Sequence, residues 1–242
     1  MWSILVKEVR GFLSSLIAYV VITVFLLAIG LFMWIYPSTN ALDYGVAGLD
    51  TLFMMAPWVF IFLISAITMR SFAEEKKTGT IEILSTHPVT DWQIIGGKFL
   101  AGLTLVLFAL IPTLLYYYTI YQLGSPVGNI DSGATWGSYL GLLFLGGCYV
   151  SIGLFASAIT DNQIVSFIIS TFLCFLTYSA LGQMSGLFAN FGVDYIVEWL
   201  SIDYHYQSIS RGVIDTRDVL YFLSFTGVFL GLTHFIFGSR KW

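Results

Sequence analysis

Six apolar runs dominate this 242-residue chain, near residues 16–36, 52–69, 99–121, 136–160, 164–188 and 219–237. At about 1.5 Å of rise per helical residue, each can cross a hydrocarbon core of roughly 30 Å. None contains Asp, Glu, Lys or Arg, and His234 is the only imidazole in any of them. Mean hydropathy is +0.85 and 10% of residues are charged, which excludes a soluble domain. Little chain remains between the runs, so residues 1–242 read as one all-α integral membrane unit of six transmembrane helices. The first run is too long for a secretory signal, and no small-x-small cleavage site follows it.

Basic residues set the orientation. With the N-terminus cytoplasmic, Lys7, Arg10, Arg70, Lys76, Lys77, Lys98, Arg240 and Lys241 fall inside, and only Arg211 and Arg217 fall outside. Eight bases against six acids leave +2 inside; two against eight leave −6 outside, which together give the net −4. Both termini are therefore expected on the cytoplasmic side.

Residues 2–13 form an amphipathic pattern. Trp2, Leu5, Val6, Val9, Phe12 and Leu13 recur at helical spacing, with Ser3, Lys7 and Arg10 opposite. Such a helix is expected to lie in the inner membrane interface. Span four is rich in glycine and serine, and Gly182/Gly186 and Gly227/Gly231 repeat a four-residue spacing that lets helices approach closely. Cys148 and Cys174 fall inside spans and read as small packing residues. Residues 189–218 mix Tyr195, Trp199, Tyr204, His205 and Tyr206 with acids, which suits short helices capping the outer face. Tyr116, Tyr117, Tyr118 and Tyr121 end span three, where they suit interface anchoring and an amphipathic cargo equally.

The polar residues concentrate in one loop, between spans two and three. Glu74, Glu75, Lys76 and Lys77 extend span two as a solvated helix, and Thr78-Gly79-Thr80 breaks it. Thr80 is then the N-cap of a short helix over 81–86, which Pro88 ends by disfavouring helical geometry at His87. Thr90-Asp91-Trp92-Gln93 has the capping-box pattern that opens the next helix. The outcome is a rigid elbow projecting from the cytoplasmic face.

This elbow, with Pro88-Val89 and Gly97-Lys98-Phe99, resembles the intracellular loop of ABC-2-type transporter permeases, and the six-span topology matches that family over nearly the whole chain. In detail it is most similar to permease subunits of gliding-motility-associated ABC transporters. The resemblance implies that the 81–86 helix is a coupling helix seated in a separate ATP-hydrolysing subunit. It makes Glu75, Gly79, Thr80, Ile81, Glu82 and Leu84 the contact candidates, with Glu74, Ser85 and His87 beside them in the same set. Trp2, Leu5, Lys7, Val9 and Arg10 would belong to the family's interfacial connecting helix. The implied location is a bacterial inner membrane. The implied partners are an ABC ATPase in two copies, a second permease (a different ABC-2-type chain or a second copy of this one) and the lipid bilayer, with no nucleic acid. ATP and Mg are expected in the ATPase, and no cofactor, metal or catalytic residue in this chain.

The residues agree with that expectation independently. No charged residue lies in a span to relay protons or bind a coupling cation. No phosphate-binding loop is present: Phe99 follows Gly97-Lys98, and Trp92 stands where the leading glycine of G-x-x-x-x-G-K-[ST] would be. An intramembrane enzyme lacks its ligand cluster, since His87, His205 and His234 are far apart. A bare channel or scaffold is the remaining rival, separated from a transporter by ATP-dependent activity.

Overall fold

The structure is a computed structural model that describes residues 1–43, 45–80, 89–186, 192 and 194–238. The expected helix over 81–86, and with it Ile81, Glu82, Leu84, Ser85 and His87, lies outside the described residues, as do Arg240 and Lys241. The described residues are all-helical, with no strand. Helix α1 (Trp2–Leu13) turns at Ser14–Ser15 into α2 (Leu16–Trp34). Then follow α3 (Asp50–Thr68), α4 (Ala73–Lys77), α5 (Asp91–Leu110) and α6 (Leu114–Leu123). They lead to α7 (Ser132–Ile159), α8 (Gln163–Phe175), α9 (Leu181–Met184), α10 (Asp194–Trp199), α11 (Ile202–Ile209) and α12 (Thr216–Gly238). Six helical stretches are long and apolar enough to cross a membrane: Leu16–Trp34, Asp50–Lys77, Asp91–Leu123, Ser132–Ile159, Gln163–Met184 and Thr216–Gly238. Each coincides with one run read from sequence, but the first helix stops at Trp34 rather than 36, the fourth at Ile159 rather than 160, and the fifth at Met184 rather than 188.

Helix α7 is the centre. Its glycines form notches for neighbouring side chains: Ile209 of α11 fills the space at Gly141, and Thr68 of α3 the space at Gly153. A Cβ at Gly146 would sit 2.8 Å from Val106 Cγ1 of α5, and one at Gly102 of α5 would sit 2.7 Å from Val150 Cγ1 of α7. The small residues of span four thus pack inside the chain. Those of span six do not: among the described residues, a Cβ at Gly227 or Gly231 would meet nothing within 4 Å. Their spacing alone said nothing about which side of α12 is covered.

Several buried polar groups are matched across helices, as a low-dielectric interior favours. Ser65 of α3 and Ser170 of α8 share a 2.9 Å hydrogen bond. A π-helical turn at Leu176–Ala180 interrupts the fifth crossing, and Ser201 Oγ donates to the Tyr178 carbonyl there. Two of the four tyrosines ending span three are tethers: Tyr116 donates to the Leu26 carbonyl, and the Tyr117 hydroxyl pairs with Ser132.

The short helices α10 and α11 cap the side opposite α1, and α11 is more deeply set than a surface cap. Ile202, His205, Tyr206 and Ile209 are buried along one face, and Tyr206 donates to the Phe53 carbonyl at 2.8 Å. His205 is 2% exposed; its Nδ1 lies 2.7 Å from Asp218 Oδ1 and its Nε2 lies 3.0 Å from the Trp199 carbonyl oxygen. Both ring nitrogens meet oxygens, so the ring is held between the end of α10 and the start of α12.

Candidate functional site

The elbow begins where α3 stops. Thr68 Oγ1 bonds back to the Ile64 carbonyl, and residues 69–72 form turns before α4 resumes. That break leaves backbone N–H groups without partners in the helix. Ser157, near the end of α7, takes them: its Oγ accepts from Phe72 N–H at 2.9 Å and Ala73 N–H at 3.0 Å, while donating to the Met69 carbonyl at 3.1 Å. Lys76 Nζ donates to the carbonyl of Ala158, also on α7. So α4 is fastened to the bundle's centre and is only partly the solvated extension its charges imply.

Gly79 then turns the chain at φ +70°, a left-handed geometry that costs glycine little. Thr78 Oγ1 donates to the Glu74 carbonyl and shares a 3.0 Å bond with Thr80 Oγ1. The helix that Thr80 would cap lies beyond the described residues. On the far side Thr90 N–H donates to Gln93 Oε1 at 3.2 Å, the reciprocal half of the expected capping box.

A buried ion cluster joins this elbow to two other helices. Lys98 Nζ, whose side chain is 1% exposed, lies 2.9 Å from Glu8 Oε1 of α1 and 3.0 Å from Glu75 Oε2 of α4. It also donates to the Ser71 carbonyl at 2.6 Å and sits 5.1 Å from the centroid of the Phe72 ring. Lys7 of α1 reaches Glu75 Oε1 at 3.0 Å. Partial burial alone would lower the Lys7 pKa, but the Glu75 hydrogen bond and the charges of Glu75 and Glu8 outweigh it and hold the pKa above the ordinary lysine value. One lysine on α5 thus ties α1 to α4.

This changes how several residues read. Glu75 is a contact candidate by resemblance, yet its side chain is 12% exposed and engaged within the chain. Glu74, Gly79 and Thr80 are exposed. In α1 the buried residue is Ile4, against Gly97 of α5, so the edge carrying Ile4 and Glu8 faces the bundle. Trp2 is 76% exposed, Lys7 and Arg10 are exposed, and Leu5 and Val9 are partly covered. Sequence reasoning missed Lys98, Glu8 and Ser157. Lys98 entered only as part of the Gly97-Lys98-Phe99 pattern that opens span three, and Ser157 only as one of the small residues of span four. The i, i+4 spacing of Ile4 and Glu8 was the one available signal.

Between α1, α3, α4 and α5 lies a cavity of about 350 Å³, which the cluster borders. Among the described residues, no group of three or more His, Cys, Asp or Glu converges as a metal site.

No curated protein matches the chain as a relative. The sequence does match the family described as ABC-2 family transporter protein, over residues 36–203. That match takes in the elbow and four of the six apolar helices in full. Together with the six-helix bundle it shows that the chain belongs to the ABC-2 transporter family, as a non-catalytic, multi-pass membrane permease component of a family that implies an ABC ATPase partner.

Proposed function

We propose that this permease is half of an ATP-driven exporter and that the elbow at 78–90 is where the ATPase acts on it. The observation that carries the reading is the Lys98 cluster. A push on an exposed loop moves a bundle only if the loop's base is stiff, and this base is fixed at three points. Glu75 meets Lys98 of α5 and Lys7 of α1, and Ser157 holds the start of α4 to α7. On this reading the 81–86 segment seats in the ATPase, and Gly79, Thr80, Ile81, Glu82, Leu84, Ser85 and His87 form the contact set, with Glu74 at the cavity behind them. Glu75 transmits the motion from behind. Closure of two ATPase copies on ATP and Mg then moves α1, α3, α5 and the elbow end of α7 as a unit, against a second permease.

The charge asymmetry of the loops supports an N-in, C-in orientation in a bacterial inner membrane. Resemblance to gliding-motility permeases supports a role in exporting or assembling surface machinery, and a different permease chain as the partner.

The test is affinity purification of the tagged chain in mild detergent beside a control with residues 80–87 scrambled. The reading expects an ATPase with the native chain and none with the control, and a second permease in both. Gly79→Pro should behave like the scramble, because proline is locked near φ −65° and cannot adopt the +70° turn. Glu82→Lys should weaken the capture by reversing a contact charge. ATPase recovered equally with the scrambled chain would return the scaffold reading to the front.

A further inference from the structure

The cavity behind the elbow has two unlike ends. Lys7, Glu8, Arg70, Glu74, Glu75 and Lys98 supply its charged end. Phe12, Ile17, Ala66, Ile67 and Leu105 give it an apolar part, with Ser15 and Thr68 among them. Leu105 lies seven residues beyond Lys98 on α5, so the apolar end is about 10 Å deeper along the helix. A pocket that is polar at the helix ends and greasy towards the span matches a molecule with the same division.

The charges specify the polar part. Lys7, Lys98, Glu8 and Glu75 neutralise one another. Arg70 and Glu74 are left, with no ion-pair partner among the described residues. Among the described residues the buried Arg70 Nε–H meets no acceptor, a donor that a ligand oxygen would satisfy. Glu74 N–H donates to the Arg70 carbonyl at 3.3 Å, so the two residues sit one helical turn apart. Side chains at that spacing are neighbours, roughly 5–6 Å between their Cβ atoms. An unpaired guanidinium beside an unpaired carboxylate is complementary to a phosphate joined to an ammonium by a short bridge.

We propose that this cavity binds a membrane phospholipid with an amino headgroup, its phosphate on Arg70, its ammonium on Glu74 and an acyl chain along Ile17, Ile67 and Leu105. Arg70 presents a planar fork of donors suited to a phosphodiester. A free phosphate would fill the polar end and leave the apolar end without an occupant. A lipid with an uncharged alcohol headgroup would leave Glu74 unmatched beside an anion. Bound there, the lipid packs between α1 and the elbow and supports the ion cluster from the membrane side.

Native mass spectrometry of the full chain in detergent tests this, with phosphatidylethanolamine, phosphatidylglycerol and soluble glycerophosphoethanolamine as the three probes. The expected result is one retained phosphatidylethanolamine, bound about tenfold more tightly than phosphatidylglycerol, as loss of one charge-assisted contact implies. Arg70→Gln should lower retention of both lipids about tenfold, and Glu74→Gln should abolish the preference between them. Ala66→Leu, which narrows the apolar end and leaves every charge in place, should also lower retention, so the outcome does not hang on Arg70 alone. Equal binding of the two lipids by the native chain overturns the headgroup assignment. Glycerophosphoethanolamine binding as tightly as the lipid overturns the membrane source. Native-like retention in both Arg70→Gln and Ala66→Leu overturns the site.

Discussion

Replacing Lys98 with methionine isolates the cluster. The side chain keeps much of its length and loses its charge, leaving Glu8 and Glu75 with only the exposed Lys7 as a cation. Removing one member of a buried pair costs about 3–5 kcal/mol, because the survivors stay desolvated. Here the survivors are not equally trapped: Glu8 is 24% exposed at its side chain and Glu75 12%, and Lys7 still reaches Glu75. Partial rehydration and that remaining partner bring the expected loss to about 2–3 kcal/mol, including the lost contact with the Phe72 ring, worth about 0.5–2 kcal/mol. Denaturant titration of the purified chain in detergent, followed by tryptophan fluorescence, gives the difference from the native protein. The companion variant Glu8→Gln/Glu75→Gln/Lys98→Met removes the charges together and should recover at least half the loss, since neutral replacement of a whole cluster is often nearly cost-free. A Lys98→Met variant within about 0.5 kcal/mol of the native protein, the range of an ordinary surface substitution, would refute the buried-cluster reasoning.

Three further outcomes follow from the same structure. Ser157→Ala leaves the Phe72 and Ala73 N–H groups buried without their acceptor; it should cost about 2–4 kcal/mol in the same titration and raise hydrogen exchange at both amides. Asp218→Ala strands His205 in a site where both its nitrogens are met by oxygen; a loss near 3 kcal/mol is expected, and Asp218→Asn, which keeps an acceptor, should lose less. Lys7 holds its proton more firmly folded than unfolded, so its tie to Glu75 contributes in full below the ordinary value of 10.5 and is lost as pH rises through the still higher folded value. A spin label on α1 should therefore keep its mobility across the neutral range and loosen only in strong alkali.

The membrane architecture was legible because it depends on composition alone: runs of eighteen or more apolar residues have few other fates. The turn at Gly79 and the Thr90–Gln93 pairing were legible because they are local, each decided by residues within three positions. The cluster was not. Lys98 and Glu8 are ninety residues apart, Lys98 and Glu75 twenty-three, and Glu75 read as part of a solvated helix. Their partnership exists only after α1 folds back against α5 with Ile4 in the notch at Gly97. His205 and Asp218 are a similar case: each looked like part of a polar outer segment, and only the inward seat of α11 brings them together. In α1 the pattern identified an amphipathic helix from Trp2, Leu5, Val6, Val9, Phe12 and Leu13, whereas the edge that meets the bundle carries Ile4 and Glu8, which that pattern did not use.

The central claim, that the elbow receives an ATPase, is tested most directly by site-specific photo-crosslinking in cells. A photoreactive residue placed at 82 or 85 should yield one adduct containing an ATP-hydrolysing subunit, and one placed at exposed Val213, on the opposite face, should not. An absence of ATPase adducts at 82 and 85, with the chain inserted normally, would contradict the account.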